Sequence, residues 1–388
     1  ISLACIGLLA VWFTWNHHRQ DEAADQLHYE RNETELVVSN LSNAAVQLFG
    51  AGNALESATL VSGFDGSSIW LHPGNYFLNI THNGRSFFLP APMIGYRAGP
   101  DEEGSFIISI RPAPKEFPPR LFNSSSAFLF IPGGNFLLGD RQNPRETHYV
   151  WLTGYFVYPF EITNAEFRAF LNDPEGYGNS ANWCVNGKRW KSLNASRTTA
   201  KLKSTDTEYS RFGQDDQPVT WVNWFEANAY CRWATNKVGK ARWLYSLPND
   251  AEWEKAARGP DNFDYALGMT ISDDEVDLYN WKKNSDALVT VTGIEQTKKI
   301  FTPNRYGLYN ITGNVAEWTQ SLNIPYNRDH PYVDDERNHD ETPGLRSVRG
   351  GSWYSAAISY LYIPYRDAFH PEQSSQELGF RVVVKALP

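Results

Sequence analysis

The chain has 388 residues, a length typical of roughly two to three domains, and its formal net charge of −9 gives no basic surface for nucleic acid. The charge therefore argues against nucleic acid as a partner. Aromatic residues make up 14% of the chain and include 14 tryptophans, which is typical of a fold whose irregular loops are held by large rings. The three cysteines form no paired framework, so Cys231 is predicted to be a small core residue, with a bridge to Cys184 left open.

The N-terminal run Ile1–Trp15 is apolar and uncharged. A membrane-spanning helix needs about 20 such residues, so residues 1–16 are predicted to be most of a transmembrane helix that begins further upstream. A signal-peptide core is the alternative. Residues 17–35 are charged and are predicted to form a juxtamembrane stalk. We expect a single-pass N-terminal membrane anchor with the bulk of the protein extracytoplasmic, in the periplasm if the protein is bacterial.

Short alternating apolar runs separated by Gly, Asn and Pro turns continue through residues 36–110, and they predict a small β-sandwich. Within it, the segment Ile69–Leu78 resembles one hairpin of PEGA-like surface modules, a resemblance that implies a spacer or adhesion unit without chemistry. Residues 111–127 are rich in proline and are predicted to be an extended linker. The second domain is expected to occupy residues 128–388.

Helix signals are clear in three places of this second domain. Thr163 with Glu166 three residues later predicts a capping box at the start of one helix. The apolar spacing over Phe225–Ala234 predicts a second helix. A third is predicted to begin at Asn249 or Asp250 and to end at Gly259. The polar insertion 172–212 allows no prediction, and the chain is expected to close on a strand that contains Phe380.

Six phrases occur in a fixed order in this domain. They are Ile131–Phe136, Pro218–Trp233, Leu247–Gly259, Gly307–Trp318, Arg349–Trp353 and Gly379–Arg381. Together they closely resemble the formylglycine-generating enzyme, or sulfatase-modifying factor, family over about residues 128 to 385. The resemblance implies an α+β fold, an irregular C-type-lectin-like domain that would follow the small β-sandwich and the N-terminal transmembrane helix.

The same resemblance implies a structural Ca²⁺ ion in the phrase around Gly313. By position its ligands would be the Asn310 side chain, the Gly313 and Val315 carbonyls, and the Glu317 carboxylate, all oxygen donors that suit Ca²⁺. The alternative is that Asn310 and Glu317 only hydrogen-bond a turn.

Catalysis in the family uses two cysteines that bind copper, and this chain has Ser355 and Tyr360 at those positions. Neither residue supplies the soft thiolate that Cu(I) requires. The chain also lacks paired histidines at the spacing of an iron site. The resemblance therefore predicts no copper, no iron and no formation of formylglycine by this protein.

Aromatic residues instead crowd the segment between the Gly350-Gly351 pair and the closing strand, more densely than a connection needs. The predicted partner-binding surface comprises Trp353, Tyr354, Tyr360, Tyr362, Tyr365, Phe369 and His370. The alternative is that these rings belong to the core. A second cluster, Asp329-His330 with residues 334–341, could bind a divalent ion but is predicted to be a solvated acidic loop.

These features lead to one main functional hypothesis and two alternatives. The main hypothesis is a membrane-anchored, catalytically inactive family member that serves as a binding or structural subunit for a protein, or a glycan, at the extracytoplasmic membrane face. The first alternative is a non-haem metal-dependent oxidase that uses other ligands. The second is a ligand-binding receptor diversified by a retroelement in the segment after Trp353.

Overall fold

The computed structural model describes residues 9–13, 34–39, 44–51, 59–66, 68–71, 74–82, 85–93, 106–110, 118–121, 124, 126–131, 133–143, 146–196, 212–239, 242–259, 262–272, 275, 278–281, 292–326, 332 and 337–387. The part of the chain that it describes contains strands throughout its N-terminal third and a mixture of helices and strands in the remainder. The insertion 172–212 is described as far as residue 196.

The described residues of the N-terminal region form eight strands. They are β1 Leu9–Phe13, β2 Thr34–Ser39, β3 Ala44–Ala51, β4 Thr59–Leu60, β5 Ser68–Leu71, β6 Gly74–His82, β7 Arg85–Met93 and β8 Phe106–Ile110. They make two four-stranded sheets, in the orders β5-β2-β1-β8 and β4-β3-β6-β7. The strands agree with the all-β pattern of residues 36–110, while the likeness to PEGA modules stays a prediction.

The N-terminal end of this region differs from the predicted transmembrane helix. Residues Leu9–Phe13 form β1, which pairs antiparallel with both β2 and β8. The helix prediction is wrong for these residues because two neighbouring strands bond their backbone groups, and alternating Val11 and Phe13 suit a strand as well as a helix. Residues 1–8 and 14–33 lie outside the described part. Among the helices that the structure describes, none has the length and apolarity needed to cross a membrane.

The second region contains ten strands and five α-helices within the described residues. Its strands are β9 Leu129–Ile131, β10 Gly134–Leu138, β11 His148–Leu152, β12 Tyr155–Val157, β13 Trp243–Ser246, β14 Ala316–Leu322, β15 Arg346–Arg349, β16 Asp367–Phe369, β17 Leu378–Gly379 and β18 Val383–Ala386. Its helices are α1 Asn164–Asn172, α2 Val185–Leu193, α3 Trp224–Val238, α4 Asp250–Arg258 and α5 Ile294–Ile300.

The second region contains two four-stranded sheets, in the orders β13-β18-β12-β9 and β16-β15-β14-β17. Strands β10 and β11 form a separate hairpin. The closing strand β18 lies between β12 and β13, with Val384 opposite both Phe156 and Tyr245. Because β18 is an inner strand, the end of the chain completes the sheet.

Three of the helices begin with the same reciprocal cap. The side chains of Thr163, Asn223 and Asn249 accept a hydrogen bond from the backbone three residues on, and a glutamate at that position bonds back. Each box satisfies two backbone donors that a helix start otherwise leaves unbonded. The boxes at Thr163 and Asn249 agree with the predicted helix starts.

Large rings fill the core of this region. Trp183, Trp224, Trp233, Trp253 and Trp318 are all fully or almost fully buried. Cys184 and Cys231 are also buried, and both are free thiols, so the bridge that the sequence left open is absent. Cys184 instead caps α2, because its sulfur accepts a hydrogen bond from the Gly187 amide at 3.3 Å.

Candidate functional site

The candidate site begins where β15 ends, at the glycine pair that the sequence marked. Gly350 and Gly351 have φ angles of +89° and +63°. A Cβ atom on Gly350 would lie 2.8 Å from the Ile311 carbonyl oxygen, and one on Gly351 would lie 2.9 Å from that of Tyr360. Both positions therefore require glycine, because the backbone at Ile311 packs against Gly350 and the backbone at Tyr360 packs against Gly351.

Ser355 lies in a hydrogen-bonded turn directly after this pair. The Ser352 amide donates to Ser355 Oγ at 2.8 Å, and Ser352 Oγ donates to the Glu377 carboxylate at 2.7 Å. The Trp281 indole donates to the Ser355 carbonyl at 2.7 Å. Among the described residues, no histidine or lysine hydrogen-bonds the Ser355 hydroxyl, and the Glu377 carboxylate bonds Ser352, whose Oγ lies 3.3 Å from Ser355 Oγ.

Tyr360 lies against Tyr365, with 4.8 Å between the ring centroids. Burial, and then the nearby Asp367, raise the pKa of Tyr365 to about 12. Leu361 and Ile363, which lie between these two tyrosines in the sequence, are fully buried. The middle of the aromatic segment is thus fixed to the domain.

Hydrogen bonds hold the same part of the segment. The Tyr362 hydroxyl donates to Asp140, and the Arg349 guanidinium donates to the carbonyls of Pro364 at 3.1 Å and Tyr365 at 3.0 Å. Arg349 is buried and forms ion pairs with Glu254 and Asp250 of α4. These contacts tie the segment to α4.

The predicted partner surface is therefore narrower than the sequence indicated. Trp353 is only 6% exposed and packs against Phe212, with 5.9 Å between the ring centroids. Phe369 packs against the buried Trp318. The prediction of a surface is wrong for Trp353, because its side chain fills a small cluster with Phe212 and Val315.

Tyr354 and His370 are exposed, and Tyr360, Tyr362, Tyr365 and Phe369 are half-buried. The Tyr354 side chain is 63% exposed, and its ring rests on that of Trp353 at a centroid distance of 5.2 Å. His370 is exposed at the end of β16. Tyr354 thus stands on a buried aromatic base.

The structure adds Trp221, which the sequence did not single out. Its φ of 56° is rare for a bulky residue, and its side chain is 39% exposed. Its amide donates to the Ser375 carbonyl at 2.8 Å, two residues before the Glu377 that binds Ser352. Strained residues cluster at functional sites. Sequence patterns carry no signal for a single left-handed tryptophan.

The phrase predicted to hold calcium forms a tight loop with Asn310 and Gly313 at φ angles of 49° and 85°. The Asn310 amide donates to Thr297 Oγ1 at 3.1 Å. At its end, Glu317 is fully buried and receives hydrogen bonds from Arg381 on both carboxylate oxygens and from the Trp253 indole at 2.8 Å.

Asn314, between these positions, is a structural residue that the sequence did not single out. Its side-chain oxygen accepts hydrogen bonds from Asn280 at 2.8 Å and from the Thr292 amide at 2.9 Å, and its nitrogen donates to Glu161 at 2.9 Å. Burial raises the pKa of Glu161 to about 8, although the nearby Arg381 acts in the opposite direction. The loop is therefore locked by side-chain amides.

Comparison with known proteins now decides the family. Residues 114–386 match the model of the sulfatase-modifying factor enzyme 1-like domain. The chain belongs to this family. It is 28% identical to the formylglycine-generating enzyme of Streptomyces coelicolor over 302 residues, which covers 65% of this chain and 87% of that protein. It is 26% identical to the mouse inactive C-alpha-formylglycine-generating enzyme 2, over 67% of this chain and 86% of the relative.

Among solved structures, the Treponema denticola variable protein 1 has a similar fold, with a TM-score of 0.51 at 21% identity. The match covers 70% of this chain and 99% of that chain. The C-type-lectin-like fold that the sequence phrases implied is thereby confirmed for the second region.

The calcium site implied by the family includes Glu317, whose carboxylate is already hydrogen-bonded within the protein. Arg381 and Trp253 together direct three N–H groups at Glu317, and the Nε–H of Arg381 is shared between both carboxylate oxygens. The guanidinium also carries the charge that a cation would bring. In the arrangement described, Glu317 therefore does not fit the role of a calcium ligand.

No group of three or more His, Cys, Asp or Glu side chains in the described ranges could hold a metal ion. In the predicted acidic loop, Asp340 pairs with Arg232, and Glu341 accepts a hydrogen bond from the Val185 amide at 2.8 Å. Both carboxylates thus hold neighbouring helices. Asp329, His330 and residues 334–336 lie outside the described part.

Proposed function

We propose that this protein is a catalytically silent member of the sulfatase-modifying factor family that binds a protein partner through the surface around Tyr354. The observation that carries the proposal is the exposed Tyr354 ring beside Ser355, at the position that holds catalytic cysteine in the family's enzymes.

The rigidity of the Tyr354 base supports a binding role. Trp353 packs on Phe212, and its amide donates to the Asn314 carbonyl at 2.9 Å. Tyrosine has few rotatable bonds, so an exposed ring on a fixed base loses little conformational entropy when a partner covers it. The strained, partly exposed Trp221 bonds through its amide to Ser375, in the segment that follows Tyr354.

The chemistry of the site argues against the family's oxidation reaction. Ser355 and Tyr360 supply hydroxyl groups, and Cu(I) prefers thiolates. The mouse relative is itself named an inactive enzyme, so loss of catalysis has a parallel within the family. A glycan as the partner, an oxidase with other metal ligands and a diversified receptor remain the competing hypotheses.

A quantitative capture experiment tests the proposal. The full chain would be immobilised and exposed to detergent extracts of membranes from the cells that produce it, with a Tyr354→Ser variant and a Leu193→Ser variant in parallel. Leu193 is an exposed residue at the end of α2 and is the matched control. We expect the same protein to be retained by the wild type and the control and lost from Tyr354→Ser. Equal retention by all three would disprove the role of Tyr354.

Metal analysis of the same purified protein tests the oxidase hypothesis. We expect neither iron nor copper in stoichiometric amounts. A stoichiometric content of either metal would favour an enzyme with ligands other than Ser355 and Tyr360.

A further inference from the structure

A cavity of about 570 Å³ lies outside the segment 352–370 and plays no part in the proposed partner surface. It is bounded by α3, by β13 and by residues 338–340, with Lys385 of β18 at one side. The volume lies within the range of about 300 to 1,000 Å³ that small-molecule sites occupy.

The wall of this cavity contains an unsatisfied polar atom. Asn228 lines the cavity and is only 5% exposed, and its side-chain oxygen has no hydrogen-bond partner among the described residues. Its amide nitrogen has long hydrogen bonds to Gln320 at 3.4 Å and Asp340 at 3.3 Å. A buried acceptor without a donor is costly, so the Asn228 oxygen is placed to receive a hydrogen bond from a bound molecule.

A second unsatisfied group lies in the same wall. The Ser246 hydroxyl oxygen is inaccessible to solvent and has no partner among the described residues. A hydroxyl both donates and accepts. A ligand that carries both donors and acceptors at separate positions would satisfy Asn228 and Ser246 together.

The charges around the cavity are already neutralised. Arg232 is paired with Asp340, and Lys385 is paired with Glu252 at 2.6 Å. Gln320 donates to Asp340 as well. An anionic or cationic ligand would have to break one of these pairs, so the lining favours an uncharged ligand.

One part of the wall is apolar. Leu244 is 38% exposed on β13, and the buried Leu247 follows it in the lining. A ligand with a C–H face as well as hydroxyl groups would cover this surface while it hydrogen-bonds the amides.

From these features we infer that the cavity binds a neutral, polyhydroxylated molecule of about the size of a monosaccharide. After small side-chain rotations that turn both oxygens towards the cavity, a ligand hydroxyl would donate to Asn228 Oδ1, a second would bond with Ser246 Oγ, and the ring face would rest on Leu244. This site is separate from the partner surface at Tyr354, so either can fail without the other.

Ligand-observed NMR on the full chain tests the inference, with D-glucose, D-mannose and N-acetyl-D-glucosamine as probes and N-acetylglycine amide as a neutral, peptide-like comparison. Three variants accompany the wild type. Asn228→Leu removes the acceptor, Leu244→Trp fills the opening from an exposed strand position, and Leu193→Trp is the same substitution at an exposed site elsewhere. Circular dichroism confirms that each variant is folded.

We expect at least one saccharide to bind with a Kd of about 1 mM or tighter and to bind at least about tenfold more weakly to Asn228→Leu and Leu244→Trp, with Leu193→Trp unchanged. The inference is overturned if no saccharide binds the folded wild type, or if binding survives both cavity variants. Binding of the peptide-like amide alone, with the same dependence on Asn228, would overturn the saccharide assignment.

Discussion

Arg381 donates hydrogen bonds to both carboxylate oxygens of Glu317, with N···O distances between 2.6 and 2.9 Å. Both side chains are fully buried. The pair joins a residue two positions before β18 to the start of β14, so it couples the end of the chain to the loop that contains Gly313. The core of the domain is therefore organised around an ion pair and not around a free acidic group.

Breaking this pair from one side is expected to be strongly destabilising. Arg381→Met leaves the buried Glu317 carboxylate without its counter-charge, and we expect it to lower the free energy of unfolding by about 3–5 kcal/mol. Urea denaturation measures the change. The double variant Glu317→Gln with Arg381→Met should be less destabilised than the sum of the two single variants. Simple additivity would show that the two residues do not act as a pair.

Calcium is expected to have no effect on stability through Glu317. The Arg381 guanidinium lies against both oxygens of Glu317 and already supplies the positive charge, and Trp253 donates to one of them, so Ca²⁺ would have to displace the guanidinium. We expect the same Tm in excess Ca²⁺ and in EDTA. A rise in Tm with Ca²⁺ that disappears in Glu317→Gln would show that the resemblance to the family extends to its calcium site.

Lys255 is expected to make stability depend on pH above neutrality. It is almost fully buried in α4, and burial lowers its pKa to about 7. Between this value and the unfolded pKa of about 10.4, the unfolded chain binds the extra proton. The contribution of Lys255 to the free energy of unfolding therefore rises with pH in this window, by up to about 1.4 kcal/mol per unit.

The Lys255→Met variant isolates this contribution. We expect it to be more stable than the wild type at pH 7, by on the order of 2 kcal/mol, with the difference shrinking as the pH approaches 10. Urea denaturation at several pH values measures both quantities. Lys298→Met, at a partly exposed position on α5, controls for the loss of one positive charge. A constant difference across the pH range would show that Lys255 is charged in the folded state.

Trp221 is expected to tolerate glycine better than valine. Its φ of 56° disfavours a β-branched side chain, so Trp221→Val should be less stable than Trp221→Gly by about 1–2 kcal/mol. Trp151, which is similarly exposed but lies in β11, is the matched control. There valine should be the more stable replacement. The same order at both positions would contradict the strain at Trp221.

The helix starts and the order of the family phrases could be predicted from the sequence because their causes are local. The capping box at Thr163 and Glu166 depends on residues three apart, and the pair Gly350-Gly351 predicts a bend at the end of β15. The resemblance of the six phrases to the family then predicted the fold of the whole second region.

The site was harder to predict because its determinants are distant in sequence. Trp353 is buried by Phe212, which lies 141 positions earlier in the chain, and Asn314 is held by Asn280 and Glu161. An aromatic residue in an exposed loop and one that fills a loop core look alike in a sequence. The helix prediction for Leu9–Phe13 was wrong for a different reason. An apolar stretch that contains Val11 and Phe13 suits both a helix and a strand.

Photo-crosslinking from position 354 tests the central claim most directly. Benzoylphenylalanine would replace Tyr354 in the full chain, produced in its own cells, and the same residue at Leu193 would serve as the control. We predict one discrete protein adduct from position 354 and none from position 193. The absence of an adduct from position 354, or the same adducts from both positions, would contradict a partner surface at Tyr354.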